Sequence, residues 1–490
     1  MSYSHYERLS AVDAAFLAVE DHDAHMHIGS VALFDAEPLT LSGGELDFER
    51  IVQFTTDQLH KMPRFRQKLA WIPGFGQPVW VDDASFNLQY HMRHTALPVP
   101  GDMRQLKRLA GRIMSQQLDR GKPLWELWVV EGIEGNRFAT ISKIHHCLAD
   151  GISGRDALNV MMGPDPDYVP SPPGRWVPRP APRGVELFAG EVRRALTLPF
   201  RLMGSGESGA GGPRKGLDSP AEAIQGLRDA ASSGIQAISR TPLNVEIGPH
   251  RRFDWARVDL DEVKEIRARA GGKVNDVVLA VVCGALRRFL KQRGERLESI
   301  EFRAAVPVSL RTDADTGTLG NRVSGIVATL PLEEADPWLR LLRIIDLTRE
   351  LKSSGQAAGG ALLEQLLELV PYRISAPLAR WGAQRGIANL VVTNVPGPEA
   401  PVYMLGSRML ASYPVVPLAP KQALGVALFS YDGGLFWGFN SDWDALPDLH
   451  DFEEQILLEF EALRKAVAIS PSHAEDPTVL AKSPLGEDSA

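Results

Sequence analysis

The chain has 490 residues, of which 44% are hydrophobic and 23% are charged, so it can build both a core and a solvated surface. This length exceeds one ordinary hydrophobic core and predicts two domains or two lobes. With 53 basic and 61 acidic residues the formal net charge is −8, which argues against nucleic-acid binding, because that function needs concentrated cations.

The cysteines and the apolar runs bear on the compartment. Cys147 and Cys283 form no CxxC pair and no dense framework, which favours a reducing compartment over a disulfide scaffold. The N-terminus lacks a basic start followed by an apolar stretch, so we expect no signal peptide. The best apolar run, Val277 to Leu286, is about half of the roughly 18 residues that a membrane span needs. We therefore expect a cytoplasmic protein whose membrane contact is peripheral.

The residues up to about 165 read as mixed α/β. Trp125–Ile133 and Phe138–Ile144 are predicted strands, and the turn at 134–136 joins them into a hairpin. The second strand leads directly into the heptad His145-His146-Cys147-Leu148-Ala149-Asp150-Gly151. Residues Ile152–Met162 then read as a helix, so the heptad occupies a strand-to-helix corner, where functional groups concentrate.

The heptad combines groups that suit acid/base chemistry. A histidine with a pKa of about 6.5 is mostly neutral near pH 7 and can accept a proton. If the strand reaches His145 and His146, their side chains point to opposite faces, and one can face a reaction channel while the other packs behind it. Asp150 can orient its surroundings, and Gly151 fits a tight turn.

Three other interpretations of the heptad stay open on these residues alone. Two ordinary core or surface histidines would need no function. A zinc site would need at least three protein ligands, and no other spaced His/Cys cluster completes one. Cys147 as a nucleophile is a third alternative, although a small apolar packing role suits it better, since adjacency to His146 does not bring its sulfur within hydrogen-bond reach.

The composition changes after residue 163. Pro164 to Pro182 is rich in proline and Gly204 to Pro213 in glycine and serine, which predicts an interdomain crossover over 164–245 with helices near Val185–Leu198 and Pro220–Ile238. The first helix carries apolar residues beside arginines and fits an amphipathic membrane-surface element, although packing on its own protein is the commoner use of such a helix.

The second half, about 250–465, again reads as α/β. Its predicted helices are Val274–Lys291, Trp338–Lys352, Leu362–Trp381 and Leu449–Val467. Its predicted strands are Arg303–Ser309, Val323–Leu330, Ala388–Val395, Leu424–Tyr431 and Leu435–Phe439, the last two as a hairpin. The tail from Ser470 is polar and contains prolines, which predicts disorder.

The heptad has the form HHxxxDG, and together with other segments it resembles the bacterial wax ester synthase/acyl-CoA:diacylglycerol acyltransferases, within the CoA-dependent acyltransferase superfamily. The heptad alone would indicate only the superfamily. Six further segments, in the family's order, carry the narrower resemblance: Leu9 to Leu17, Pro123-Leu124-Trp125, Val274-Asn275-Asp276-Val277, Pro307 to Arg311, Gly320-Asn321-Arg322, and Asn394 to Pro398. The resemblance runs from about residue 4 to about residue 465.

The resemblance implies a fold of two chloramphenicol-acetyltransferase-like α/β lobes with mixed sheets and an active-site tunnel between them. The expected division is an N-terminal lobe over 1–163, the crossover over 164–245, a C-terminal lobe over 246–469 and a disordered tail over 470–490.

The resemblance also implies roles within the heptad. His146 would be the general base that takes the proton of an alcohol as its oxygen attacks the acyl-CoA thioester, with no acyl-enzyme. His145 would support the same site. Asp150 would be structural, paired with an arginine, for which Arg64 or Arg66 is the expected partner.

Other segments would bind substrate. Asn275 would hydrogen-bond substrate or the developing oxyanion, although an Asn-Asp pair before an apolar helix is equally a good helix cap. The remaining expected substrate-binding residues are Gly151, Pro123, Leu124, Trp125 and Asn394, of which the tripeptide can also be core packing and Asn394 a simple turn. Arg311, Arg322 and Lys273 are candidates for the CoA phosphates.

The function implied is transfer of a long-chain acyl group from acyl-CoA to diacylglycerol or a fatty alcohol, with acyl-CoA as substrate, no cofactor and no metal. The enzyme would dock peripherally on the inner membrane or on lipid droplets. The alternatives are a condensation-type acyltransferase that uses carrier-bound acyl groups and a noncatalytic lipid-droplet surface protein. The sequence does not rank diacylglycerol against fatty alcohol.

Overall fold

The computed structural model describes residues 5–151, 160–168, 174, 176–204, 238–309, 323–353 and 370–469. Within these ranges the chain forms two six-stranded sheets and one three-stranded sheet, with helices packed against them. Each six-stranded sheet mixes parallel and antiparallel strand pairs. The predicted architecture of two α/β lobes with mixed sheets is confirmed.

The strands of the first half lie in the first large sheet or in the small one. They are β1 (Glu7–Arg8), β2 (His27–Asp35), β3 (Gln67–Trp71), β4 (Pro78–Asp82), β5 (Met92–Ala96), β6 (Trp125–Ile133) and β7 (Arg137–His145). Those of the second half are β8 (Arg251–Asp259), β9 (Phe302–Ser309), β10 (Val323–Leu330), β11 (Leu390–Pro396), β12 (Tyr403–Met404), β13 (Ser407–Val415), β14 (Leu424–Tyr431) and β15 (Gly434–Asp442). The first sheet has the order β12-β13-β2-β7-β6-β5, the second β10-β9-β11-β14-β15-β8, and the small sheet β1-β4-β3.

The α-helices alternate with these strands. They are α1 (Ala11–Val19), α2 (Phe48–Gln58), α3 (Leu88–His91), α4 (Met103–Met114), α5 (Gly184–Gly204), α6 (Leu260–Ala270), α7 (Val274–Gln292), α8 (Pro337–Ser353), α9 (Tyr372–Arg385) and α10 (Leu449–Ile469). A short 3-10 helix, His146–Gly151, follows β7 directly.

Strand β13 connects the two halves of the chain. It belongs to the segment 246–469, predicted as the second lobe, and it pairs with β2 and so extends the first sheet. Aromatic side chains reinforce the contact between the two large sheets. The ring of Tyr413 on β13, in the first sheet, stacks on Trp255 of β8, in the second sheet, with centroids 4.7 Å apart. The two lobes are therefore interlocked, and the domain boundaries stay a prediction.

Helix α7 forms the centre of the second lobe. Every residue from Val277 to Leu286 is buried, which accounts for the apolar run seen in the sequence. Helices α8 and α10 pack against α7. Arg340 of α8, itself buried, donates to Glu459 of α10 and to the Ala280 carbonyl oxygen of α7 at 3.3 Å.

A buried lysine fixes α4 against the first sheet. Lys143 on β7 is fully buried, and its Nζ donates to the carbonyl oxygens of Ile113 and Gln116 at 3.2 and 3.0 Å. These carbonyls lie at and just beyond the C-terminal end of α4, where helix carbonyls lack partners within the helix. Glu126 lies 3.2 Å from the same ammonium group. Lys143 thus anchors β7 two residues before His145.

Most elements predicted from the sequence lie where expected. Trp125–Ile133, Val323–Leu330 and Leu424–Tyr431 are strands with the predicted bounds. The C-terminal part of the predicted helix Leu362–Trp381 lies in α9, which begins at Tyr372 with Pro371 at the N-cap position, whereas residues 362–369 lie outside the described residues. The predicted helix Pro220–Ile238, most of the predicted helix Ile152–Met162 and the tail from Ser470 lie outside the described residues.

Candidate active site

Two backbone hydrogen bonds fix the end of β7. The His145 N–H donates to the Leu124 carbonyl oxygen at 3.0 Å, and the His146 N–H donates to the Met26 carbonyl oxygen at 2.8 Å. The neighbouring peptides are therefore held from two sides, by the segment before β6 and by the segment before β2. The side chains of His145 and His146 nevertheless lie in different surroundings.

His145 is fully buried and surrounded by polar groups. Its Nδ1 accepts a hydrogen bond from the Cys147 N–H at 3.2 Å, which places the ring proton on Nε2. That Nε2 lies 3.4 Å from Oε2 of Glu20, an ion-pair distance rather than a tight hydrogen bond.

Glu20 is a buried carboxylate behind His145. Arg120 donates to it twice, at 2.9 Å from Nε and 2.6 Å from Nη2. Burial by itself raises the pKa of Glu20, but the interactions with His145 and Arg120 outweigh burial and hold it well below the usual value of a glutamate. Glu20 is therefore ionised at neutral pH and presents a negative charge to the ring of His145.

His146 is half-buried and faces an apolar ring. It stacks on Phe16 of α1, with ring centroids 3.8 Å apart and planes inclined by 23°. Phe16 packs against the core of the second lobe, and Met26, whose carbonyl holds the His146 N–H, belongs to that same core. His146 consequently lies where the two lobes meet, whereas His145 faces a polar cluster within the first lobe.

The residues that flank the histidines in the sequence are packed in the first-lobe core. Leu124 and Trp125 share one apolar cluster with Cys147 and Leu148, and Pro123 is buried beside them. Trp125 donates its indole N–H to the Phe65 carbonyl oxygen at 2.8 Å. Burial raises the pKa of the Cys147 thiol well above its usual value, which keeps the sulfur protonated and poorly nucleophilic. Contact of Pro123, Leu124 and Trp125 with substrate stays a prediction.

Asp150 and Gly151 are described only as backbone, at the end of the 3-10 helix, and their side-chain surroundings lie outside the described part of the chain. The two arginines predicted as partners of Asp150 have described contacts of their own. Arg64 donates to Glu7 at 2.6 Å, and the Arg66 guanidinium lies 4.6 Å from the ring centroid of Trp176.

The structure brings together two predicted site residues from distant motifs. Asn394 Nδ2, at the end of β11, donates to Oδ1 of Asn275 in the first turn of α7 at 2.7 Å. Asn275 is not the cap of α7, since the helix begins at Val274 and Asp276 accepts from the Lys273 N–H at 2.7 Å. Asp276 therefore performs the capping that the sequence assigned to the Asn-Asp pair. Its other oxygen accepts a hydrogen bond from Thr348 Oγ1 of α8 at 2.8 Å.

Lys273 lines a cavity of about 340 Å³ at the N-terminal end of α7, which it shares with Arg349 and Lys352 of α8. The other candidates for CoA phosphates, Arg311 and Arg322, lie outside the described residues. In the part of the chain that is described, no group of three or more His, Cys, Asp or Glu side chains is arranged to hold a metal ion. The expectation that the enzyme needs neither metal nor cofactor stays a prediction.

Phe16, Glu20 and Arg120 had no predicted role, although the structure places them around the two histidines. The segment Leu9 to Leu17 was one of the motifs carrying the family resemblance, and its helix α1 brings Phe16 to His146. Glu20 follows this helix as its C-cap residue. The one signal in the sequence that could have pointed to Phe16 and Glu20 was thus their position within or beside the motif Leu9 to Leu17.

Comparison with known proteins places the chain in a family. The wax ester synthase/diacylglycerol acyltransferase catalytic domain matches residues 9–278, and the WS/DGAT C-terminal domain matches residues 319–464. The chain belongs to this family. It is accordingly an acyltransferase, and the resemblance drawn from its motifs is confirmed.

Individual relatives support this acyltransferase assignment. A Mycobacterium tuberculosis protein named "Probable diacyglycerol O-acyltransferase tgs1" is 31% identical over 94% of this chain and 96% of its own length. The wax ester synthase/diacylglycerol acyltransferase of Marinobacter aquaeolei VT8 is similar in structure, with a TM-score of 0.64 and 25% identity over 94% of this chain and 100% of that chain. The first condensation domain of the CDA synthetase shares the fold at 15% identity, with a TM-score of 0.55 over 97% of this chain and 99% of that chain.

None of the helices in the described ranges of this acyltransferase combines the length and the apolar character that crossing a bilayer requires.

Proposed function

We propose that this acyltransferase moves a long-chain acyl group from acyl-CoA to diacylglycerol or to a long-chain fatty alcohol. The observation that carries the proposal is the placement of His146, half-buried on the ring of Phe16 where the lobes meet. An imidazole in apolar surroundings is mostly neutral near pH 7 and able to take a proton, and an apolar wall suits acyl chains.

In the proposed reaction His146 removes the proton from the acceptor hydroxyl as that oxygen attacks the thioester carbonyl carbon. The tetrahedral intermediate then collapses, the carbon–sulfur bond breaks, and the proton passes from the imidazolium to the departing CoA thiolate. The products are an oxygen ester and free CoA, and no acyl-enzyme forms. A general base of this kind contributes about 10²–10⁴ to the rate.

The neighbouring residues have supporting roles in the proposal. Glu20 and Arg120 hold His145, which in turn fixes the turn through the Cys147 N–H. Asn275, oriented by its hydrogen bond with Asn394, stabilises the oxyanion of the intermediate. Asp150 keeps the corner rigid. Substrates this apolar also imply that the enzyme works at the surface of a membrane or a lipid droplet.

The test is release of free CoA from palmitoyl-CoA with diolein or hexadecanol as acceptor, for the intact chain and for His146→Ala. We expect turnover with at least one acceptor and a loss of about 10²–10⁴ in the variant. His22→Ala, at an exposed histidine of the same lobe, serves as the matched control and retains full activity.

Equal rates for the intact chain and His146→Ala would remove His146 from the mechanism. Failure of both acceptors, with turnover of a carrier-bound acyl group, would favour a condensation-type acyltransferase. Failure of all three substrates, with the protein still recovered on lipid droplets, would favour a noncatalytic surface protein.

A further inference from the structure

Helix α9 exposes an apolar face to solvent. Ile374, Leu378 and Trp381 follow one another at intervals of four and three residues, so they lie on one side of the helix. They are 56%, 55% and 52% exposed. Single exposed apolar residues are ordinary on a protein surface, but an aligned set of large ones marks a contact surface.

The exposed face continues beyond α9. Trp71, at the end of β3, is exposed and its ring lies 6.2 Å from that of Tyr372, the first residue of α9. In the turn that follows β3, the ring of Phe75 lies 5.5 Å from the exposed ring of Phe188 on α5. The turn between β3 and β4 thus joins the exposed side of α5 to that of α9. We call the exposed apolar residues Trp71, Phe188, Ile374, Leu378 and Trp381 the docking face.

Cations accompany these apolar residues on α9. The helix contains three arginines and no carboxylate, in a chain whose net charge is −8. Arg373 and Arg385 are exposed, and the Arg385 guanidinium lies 4.1 Å from the ring centroid of Trp381. A tryptophan with adjacent arginines is the combination that settles at the interface between lipid headgroups and acyl chains.

The opposite side of α9 faces the candidate active site. There α9 packs on α1, with Ala376 buried and Arg380 Nε donating to the Ala18 carbonyl oxygen at 2.5 Å. Helix α1 carries Phe16, whose ring stacks on His146. One layer of helix therefore separates the docking face from the proposed base, which is a short distance for an acceptor that arrives from a lipid phase.

We propose that the docking face binds the surface of an anionic phospholipid membrane, with its apolar residues inserted among the acyl chains and its arginines at the phosphates. Charge complementarity decides the occupant, because the cations of α9 oppose the sign of the chain as a whole. The proposal rests on the proposed function only in so far as lipid acceptors give the enzyme a reason to be there.

The test is co-sedimentation of the full chain with vesicles of phosphatidylcholine alone or mixed equally with phosphatidylglycerol. The intact chain binds the mixed vesicles more strongly, and added salt weakens this binding, since exposed charges are screened within about 10 Å at 0.1 M salt. Leu378→Asp lowers the partition coefficient by about tenfold or more, because an inserted leucine is replaced by a charge.

Matched controls distinguish a role of the docking face from the general effect of adding a negative charge to the protein surface. Leu458→Asp changes a leucine with the same exposure, 55%, on α10, and leaves vesicle binding unchanged. Arg373→Glu with Arg385→Glu abolishes the preference for phosphatidylglycerol, whereas Arg343→Glu on α8 does not. Equal effects of Leu378→Asp and Leu458→Asp would overturn the proposal. It would also be overturned if Leu378→Asp left vesicle binding intact but dissociated a dimer in sedimentation velocity, since the face would then be a self-contact.

CoA release in detergent micelles keeps this proposal distinct from the proposed function. With both substrates dispersed in micelles, Leu378→Asp retains the turnover of the intact chain, because docking is bypassed. An intact chain that binds mixed vesicles but releases no CoA in micelles would refute the proposed function and leave the docking face standing. An intact chain that releases CoA but shows no preference for anionic vesicles would refute the docking face alone.

Discussion

His145 and His146 are neighbours in the chain, and their surroundings differ in almost every physical respect. His145 is fully buried, accepts the Cys147 N–H and lies beside the ionised carboxylate of Glu20. His146 is half-buried, stacks on Phe16 and lies where the lobes meet. The alternation of side chains at the end of β7 turns one step along the backbone into this difference.

The comparison shows how one short motif can divide two tasks. A histidine fixed by a buried charge network is well held but poorly placed to exchange protons with a substrate. A histidine on an apolar wall between two lobes can reach a substrate, but it relies on its neighbour to keep the turn in place. We therefore expect changes around His145 to alter stability and changes at His146 to alter turnover.

The most direct way to break this contrast is to replace each histidine by glutamine. His146→Gln lowers kcat by about 10²–10⁴, while its unfolding free energy changes by less than about 1.5 kcal/mol, the most that one aromatic stack contributes. His145→Gln lowers the unfolding free energy by about 1–3 kcal/mol, since it disturbs a buried hydrogen-bonded group. Urea unfolding and CoA release measure the two effects, and the opposite assignment of effects would refute the division of tasks.

Glu20→Gln tests the charge behind His145. The substitution leaves Arg120 without its carboxylate in a largely buried cluster, and we expect a loss of about 3 kcal/mol, the lower end for broken buried pairs because Arg120 reaches solvent. Glu461→Gln is the matched control: this exposed glutamate pairs with Arg464 on α10, where solvent screens the pair, so we expect the variant to unfold like the intact chain. If Glu20→Gln instead left stability unchanged and reduced kcat as far as His146→Gln, the charge would belong to the chemistry.

Local elements of the fold were predictable because their signals are local. The strands Val323–Leu330 and Leu424–Tyr431 are apolar runs bounded by turn residues, and the structure has them with the predicted bounds. Strand β13 was not predicted, and its pairing with β2 in the other lobe could not be, since no local pattern encodes a partner so far away in the chain.

The candidate site was also predictable only in part. The motif around His145 and His146 was visible as a pattern in the sequence, and so was the family that the comparisons confirm. The surroundings of the two histidines could not be predicted, because Phe16, Glu20 and Arg120 reach them only through the packing of α1. The cap of α7 was assigned to an adjacent pair, and the structure shows that Asp276 alone performs it while Asn275 turns to Asn394.

A smaller effect follows from His27, which faces His145 across the β2–β7 pairing. Burial, with the nearby charge of Lys143, lowers the pKa of His27 well below its usual 6.5. The folded chain therefore keeps this ring neutral while the unfolded chain protonates it, so stability is lost as the pH falls below about 6.5, by at most about 1.4 kcal/mol per pH unit from this residue.

Urea unfolding between about pH 7 and about pH 5 measures this dependence. His27→Gln reduces the slope, while His22→Gln, at an exposed histidine, leaves it unchanged. The contribution of Glu20 falls in a separate window, because a carboxylate with a lowered pKa loses its stabilising charge only below its unfolded value of about 4.5. An unchanged slope in His27→Gln would mean that the ring is protonated in the folded state as well.

The smallest effect on turnover is that of Asn394, whose amide orients Asn275 on the second-lobe side. Asn394→Ala removes the 2.7 Å hydrogen bond to Asn275, and a neutral hydrogen bond contributes about 0.5–1.5 kcal/mol, so kcat should fall about two- to tenfold. Asn275→Ala, which removes the proposed oxyanion donor itself, should cost more, about 2.7–4 kcal/mol. If Asn394 acts only by orienting Asn275, it has nothing left to orient in the Asn275→Ala background, and the double variant is no slower than Asn275→Ala alone. Additive losses would instead mean that each amide contacts the substrate separately, and that the oxyanion is stabilised from both β11 and α7.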